Sequence, residues 1–226
     1  MCAGVCKVTH ALRTSPPDAV SDAISSFDDS VRRCLERVCQ SSISDSAWSQ
    51  AILPIRDGGL GLGAAASSAA AAFVASCTTA GPLARKLLGE EDDPIPGTQD
   101  AIDTLLSQGC TNVNELLEKE PTHGLQRRLT EPIMKKQSGN LLETSSIRDK
   151  ARLISLAGEC AGAWLQALPM PAMGLHIPAR EFRVLLRHNL GLPTYCASRT
   201  CPACKRALPD TRGDYSLLCA APTATG

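Results

Sequence analysis

The chain has 226 residues, room for one large domain or two small ones, and its 43% of hydrophobic residues is enough for a core. Aromatics make up only 3%, so that core must be built from Ala, Leu, Ile and Val, a composition that favours helices over sheets. Lys plus Arg balances Asp plus Glu at 23 each, so the charge of the whole chain gives no drive towards nucleic acid or membrane.

Residues 1–14 read as a disordered stub. Cys2, Cys6 and His10 lie within it at spacings that match no familiar metal site, and Met1 to Arg13 lacks the continuous apolar centre of a signal peptide. Ser15-Pro16-Pro17-Asp18 is a helix start, with Ser at the cap and Pro in the first turn. Val20, Ala23, Ile24, Phe27, Val31, Cys34, Leu35 and Val38 then form an apolar stripe at helical period, with Cys34 expected in the core. A short second helix is expected from Ile43 to Ala51, anchored by Trp48.

Leu53 to Gly63 is rich in glycine, but no Gly-Lys-Ser/Thr follows and no strand precedes it. A tight turn with Leu60 and Leu62 tucked against the core is expected, not a phosphate loop. Ala64 to Cys77 reads as a central helix whose small side chains let other backbones approach, broken at Gly81-Pro82. The longest apolar run, Ala64 to Ala75, is interrupted by Ser67 and Ser68 and is too short to span a bilayer. An acidic, Pro-containing loop near 89–98 is a candidate domain boundary.

Two short helices follow, Ala101 to Gln108 and Asn112 to Lys119. A basic amphipathic helix from His123 to Gln137 is expected to be interrupted at Pro132, with a turn at Gly139-Asn140. Ser146 to Leu168 reads as a second long helix with Ile147, Ala151, Ile154, Ala157, Ala161, Trp164 and Leu168 on its buried stripe. The last helix opens at Pro178, carries Phe182, Leu185, Leu186 and Leu190, and ends at Gly191. Arg180, Arg183 and Arg187 share one face of it, expected to point outward.

The tail concentrates the chemistry. Four of the eleven cysteines, Cys196, Cys201, Cys204 and Cys219, fall within it. Cys201-x2-Cys204 lets one turn aim two thiolates at a tetrahedral ion, and Cys219 supplies a third. Tyr215 is a poor zinc ligand because a phenol titrates near pH 10. The fourth ligand is therefore expected to be Cys196, or else to lie beyond Gly226. Seven basic residues against two acids between Arg180 and Arg212 surround this cluster, and Arg180, Arg183, Arg187, Lys205 and Arg206 are the candidate phosphate contacts. An odd, mostly scattered set of cysteines without a leader points to a reducing, intracellular compartment, nucleus or cytoplasm.

The expected fold class is all-α, an irregular helical bundle over residues 15–193 with a small zinc-knuckle-like tail over 194–226. The ordered features resemble the region downstream of the polymerase palm in non-LTR, LINE-type retrotransposon reverse transcriptases. Leu53-Pro-x-Arg-x-Gly-Gly-Leu-Gly-Leu62, Trp164-Leu165-x-x-Leu168-Pro169, Phe182-x-x-Leu185-Leu186 with Leu190-Gly191-Leu192-Pro193, Cys201-Pro202-x-Cys204 and Asp210-x-x-Gly213-Asp214-Tyr215-x-x-x-Cys219 carry it. The resemblance covers residues 18 to 220. It implies a thumb-to-linker helical segment followed by a zinc knuckle that holds RNA or DNA.

Two departures stand out. The family has Gly-Asp-His where this chain has Gly-Asp-Tyr, and it continues past the last cysteine where this chain reads Ala220 to Gly226. The palm and its paired aspartates are absent, so the chain is expected not to be an enzyme by itself. A cysteine hydrolase is a third idea with little to support it, because His10, His123, His176 and His188 sit in no nucleophile motif. The alternative expectation is a degenerate or host-retained helical scaffold that mediates protein contacts and binds neither metal nor nucleic acid.

Overall fold

The computed structural model describes residues 3–89, 94–119, 123–195, 197, 199–201, 204–205, 207–208, 210–215 and 219. Among these the helices are α1 (Ala3–Thr14), α2 (Ser21–Cys39), α3 (Asp45–Ile52), α4 (Ala65–Leu88), α5 (Thr98–Gln108), α6 (Val113–Glu118), α7 (Leu125–Thr144), α8 (Ile147–Leu156), α9 (Ala163–Gln166) and α10 (Ala179–Asn189). A two-residue antiparallel ribbon, β1 (Arg199–Thr200) with β2 (Ala207–Leu208), pairs Arg199 with Leu208. The fold is all-α, as composition requires, and none of its helices is long and apolar enough to cross a membrane among the described residues.

Helix α4 is the axis, packing against α1, α2, α5 and α7. Ala69, Ala70, Ala71, Ala72 and Ala75 are all buried, so four neighbours reach its backbone closely. Its two ends of the core differ. Phe73 and Val74 join Ala101, Leu105, Val113, Leu129 and Ile133 in the main cluster, which draws on both sides of the 89–98 loop. Ala65, Ala69 and Ala72 join Leu12 and Ile24 in a smaller one. A third cluster binds the end of α2 and α3 to α10 through Leu35, Cys39, Ala47 and Leu186, with Leu60 and Leu62 packed against it.

The glycine-rich turn lies as the spacing predicts. Three of its glycine amides are used internally: Gly58 N donates to Ile55 O at 3.1 Å, Gly59 N to Pro54 O at 3.1 Å and Gly61 N to Leu53 O at 2.9 Å. None of these is left to hold a phosphate. A Cβ on Gly59 would stand 2.0 Å from the Leu53 carbonyl oxygen, so only glycine fits the turn.

Several local expectations are overturned. Residues 3–14 are a helix, not a stub, because Leu12 is buried against α2 and α4. Cys34 is exposed; the stripe of α2 turns inward at Leu35 and Cys39. Helix α4 runs through Gly81-Pro82 to Leu88, and α7 runs through both Pro132 and Gly139-Asn140. In α7, Leu129, Ile133 and Leu141 lie in the main core on both sides of the proline, so packing outweighs one lost backbone bond.

The expected long helix from 146 to 168 is two pieces. Cys160 takes a left-handed φ of 62°, and the turn brings Gly162 against Ile55, where a Cβ would stand 2.1 Å from Ile55 Cγ2. Its apolar stripe is not buried either: Ile147, Ile154 and Leu168 are exposed, while Leu153 faces the core.

Candidate metal centre

The tail begins where α10 ends. The β1–β2 ribbon closes over the Cys201–Cys204 turn, and Lys205 N donates to Cys201 O at 2.9 Å. Lys205 adopts a φ of 60°, the left-handed conformation that brings the chain back into β2. The turn therefore presents both cysteines on one side, as the two-residue spacing predicts.

Cys201, Cys204 and Cys219 come together with their sulfurs within 4.8 Å of one another. Cys201 is buried and the other two are half-buried. The Cys201 and Cys219 sulfurs lie 3.7 Å apart. Two sulfurs held at about 2.3 Å by one tetrahedral ion stand about 3.8 Å apart. The donor chemistry and the spacing thus both fit a thiolate-bound metal ion. Cys196 and Arg206, also expected here, lie outside the described residues.

Tyr215 enters the cluster from its edge, with its phenol oxygen 3.0 Å from Cys204 Sγ. A sulfur and an oxygen bound to the same tetrahedral ion would stand about 3.5 Å apart. The observed separation is that of a hydrogen bond, and once the sulfur is a thiolate only the phenol can donate. With an ion on the three sulfurs, Tyr215 would hold Cys204 from outside the ligand set, the placement that orients metal ligands elsewhere in proteins.

The Asp210–Tyr215 loop that delivers Tyr215 is organised by one carboxylate. Asp210 accepts from the amide of Arg212 at 2.9 Å and from that of Tyr215 at 3.3 Å. Its neighbour Thr211 offers its carbonyl to the amides of Thr194 and Tyr195 at 2.8 and 3.0 Å. The loop then docks on α8. Arg148 pairs with Asp210 at 2.5 Å and, through Nε, with Asp214. Asp149 accepts from Arg212 at 2.9 Å. Hydrogen bonds donated to Asp214 and Asp210 raise the Arg148 guanidinium above its ordinary value. Burial pushes Asp210 up, but the bonds from Arg148 and the two amides outweigh it and hold its carboxyl at about 2.

The arginine row does not point outward as a set. Arg183 donates to Val38 O at 3.2 Å and to Gln40 Oε1 at 2.6 Å; Arg187 donates to Cys39 O at 2.7 Å and to Gln40 O at 2.5 Å. Three of these acceptors, the carbonyls of Val38, Cys39 and Gln40, are backbone groups at the C-terminal end of α2, where the helix dipole also favours a cation. Arg180 and Lys205 remain exposed.

A buried polar junction escaped sequence reasoning altogether. Gln50, 1% exposed, donates to Gly58 O and Asn189 O, both at 2.9 Å. Arg152 donates to Gln50 Oε1 at 2.8 Å and also reaches Asn189 O. One junction thus ties α3, the glycine-rich turn, α8 and α10 together. No residue in it carries a local signal; only the three-dimensional meeting of those elements defines it.

Comparison with protein-family models, with curated proteins and with solved structures gives no match to this chain.

Proposed function

We propose that the chain is a non-catalytic, nucleic-acid-holding segment of a retroelement reverse transcriptase-like protein, with a zinc-stabilised tail. The observation that carries this is the convergence of Cys201, Cys204 and Cys219, whose soft thiolates in tetrahedral spacing suit zinc better than harder ions. The ion, when bound, supplies a rigid cross-link, not a reaction. Phosphate contact falls to exposed Arg180 and Lys205 and to Arg206, positioning a strand without reading its bases.

The test is a titration of labelled single-stranded RNA with the full chain at several salt concentrations. Affinity is expected to fall steeply with salt, and Arg180→Gln and Lys205→Gln each to reduce the logarithmic salt slope by about 1. Arg187→Gln is expected to lower the melting temperature and leave that slope unchanged, because Arg187 holds α2. Binding that does not respond to salt would remove this function.

A second reading is favoured by a specific observation. Arg183 and Arg187 are engaged within the fold, while Leu83, Leu87 and Leu88 stand exposed on the last turns of α4. On that reading the chain is a helical scaffold for protein contacts, and RNA binding in the same titration would be absent at every salt concentration.

A further inference from the structure

The geometry points to Arg148 as a positioning residue of the metal centre, a side chain of the helical body that sets how tightly the tail holds its ion. This rests on the reading that Cys201, Cys204 and Cys219 bind a metal.

Between the second and third cysteines the chain runs through a long loop, and closing a flexible loop has an entropic cost that the ion would otherwise have to meet on binding. Here contacts within the chain hold the Asp210–Tyr215 part of that loop. The Arg148 fork spans two carboxylates, Asp210 through Nη2 and Asp214 through Nε. Asp210 in turn fixes the amides of Arg212 and Tyr215, and Asp214 directly precedes Tyr215. The Tyr215 phenol then meets Cys204. An unbroken series of contacts therefore runs from α8 to a candidate ligand sulfur.

Each link is specific. Asp210 is 15% exposed and Arg148 46%, so the carboxylate is the more enclosed partner of a pair that still meets solvent on the arginine side. A guanidinium has two donor edges in a fixed plane and an ammonium does not, so lysine cannot bridge both aspartates with the same geometry. A neighbouring pair, Asp149 with Arg212, holds the same loop to the same helix. Partners that act on a ligand from outside the coordination sphere typically change metal affinity 10–100-fold when removed.

The experiment measures Zn(II) affinity of the full, reduced chain by competition with a chromophoric chelator. Arg148→Gln is expected to weaken binding at least tenfold, and Arg148→Lys to restore little of it. Asp214→Asn is expected to weaken binding from the tail side, and the Arg148→Gln/Asp214→Asn double variant to be no weaker than Arg148→Gln, which already removes the contact to Asp214. Arg56→Gln, which breaks an exposed ion pair to Glu131, is expected to bind as the unaltered chain does. Far-UV circular dichroism checks that each variant keeps its helices. Unaltered chain that binds no zinc would overturn the metal reading beneath this inference. Zinc bound by the unaltered chain with equal affinity in Arg148→Gln and Asp214→Asn would overturn the inference alone.

Discussion

Asp210 is the side chain on which the tail's loop is built, and its protonation has a definite consequence. Its carboxyl is held at about 2 against an ordinary 3.8. A depressed folded-state pKa means that the stabilisation is present above the unfolded value and is lost as pH falls through the folded one. Docking of the tail is therefore expected to persist down to about pH 4 and to fail as pH approaches about 2. Both tyrosines of the chain, Tyr195 and Tyr215, belong to the tail, so their ring-proton resonances report this directly. Asp210→Asn is expected to abolish that transition, and an unchanged transition in the variant would show that another group controls docking. The Cys201–Cys204 pair was legible in the sequence because a two-residue spacing aims both side chains locally; the role of Asp210 in the loop was not. Nor were those of Arg183 and Arg187. Which way a helix face points depends on the helix it meets, and α2 lies some 145 residues earlier in the chain.

At the scale of elements, period and composition pointed to most of the helices but not to α1, and prolines and glycines misplaced several ends. Pro82 sits inside α4 with no amide to give, and the residues around it are held by other means. Thr78 and Thr79 hydroxyls bond back to Val74 and Ala75 carbonyls at 2.9 and 2.8 Å, and buried Gly81 makes room for Ile95. Because the helix already continues there, Pro82→Ala is expected to stabilise the protein by about 1–3 kcal/mol, since proline is roughly 3 kcal/mol less favourable than alanine within a helix. Thermal unfolding reads this as a rise of several degrees; a fall would show that the proline is accommodated by a strain-free kink. The opposite error occurred at residues 146–168. There an unbroken apolar stripe suggested one helix, but Gly158, the left-handed Cys160 and Gly162 turn the chain, and the stripe faces solvent at Ile147 and Ile154. Periodicity shows that a helix is amphipathic; it does not show that a partner covers it.

Across the whole molecule the helical body and the tail meet on one helix. Leu153 of α8 enters the main core, Arg152 joins the buried junction with Gln50 and Asn189, and Arg148 and Asp149 hold the Asp210–Tyr215 loop. The tail is thereby held against the body, and its three thiols lie within 4.8 Å of one another, close enough for one ion to bind all three. The charge pattern Arg148-Asp149-x-x-Arg152 and the acids of the tail were visible separately, but nothing in their order pairs them. The most direct measurement is elemental analysis of the full chain purified under reducing conditions. The account predicts one zinc per chain, lost in Cys201→Ser, whereas metal-free protein whose thiol variant is indistinguishable from it would contradict the central claim.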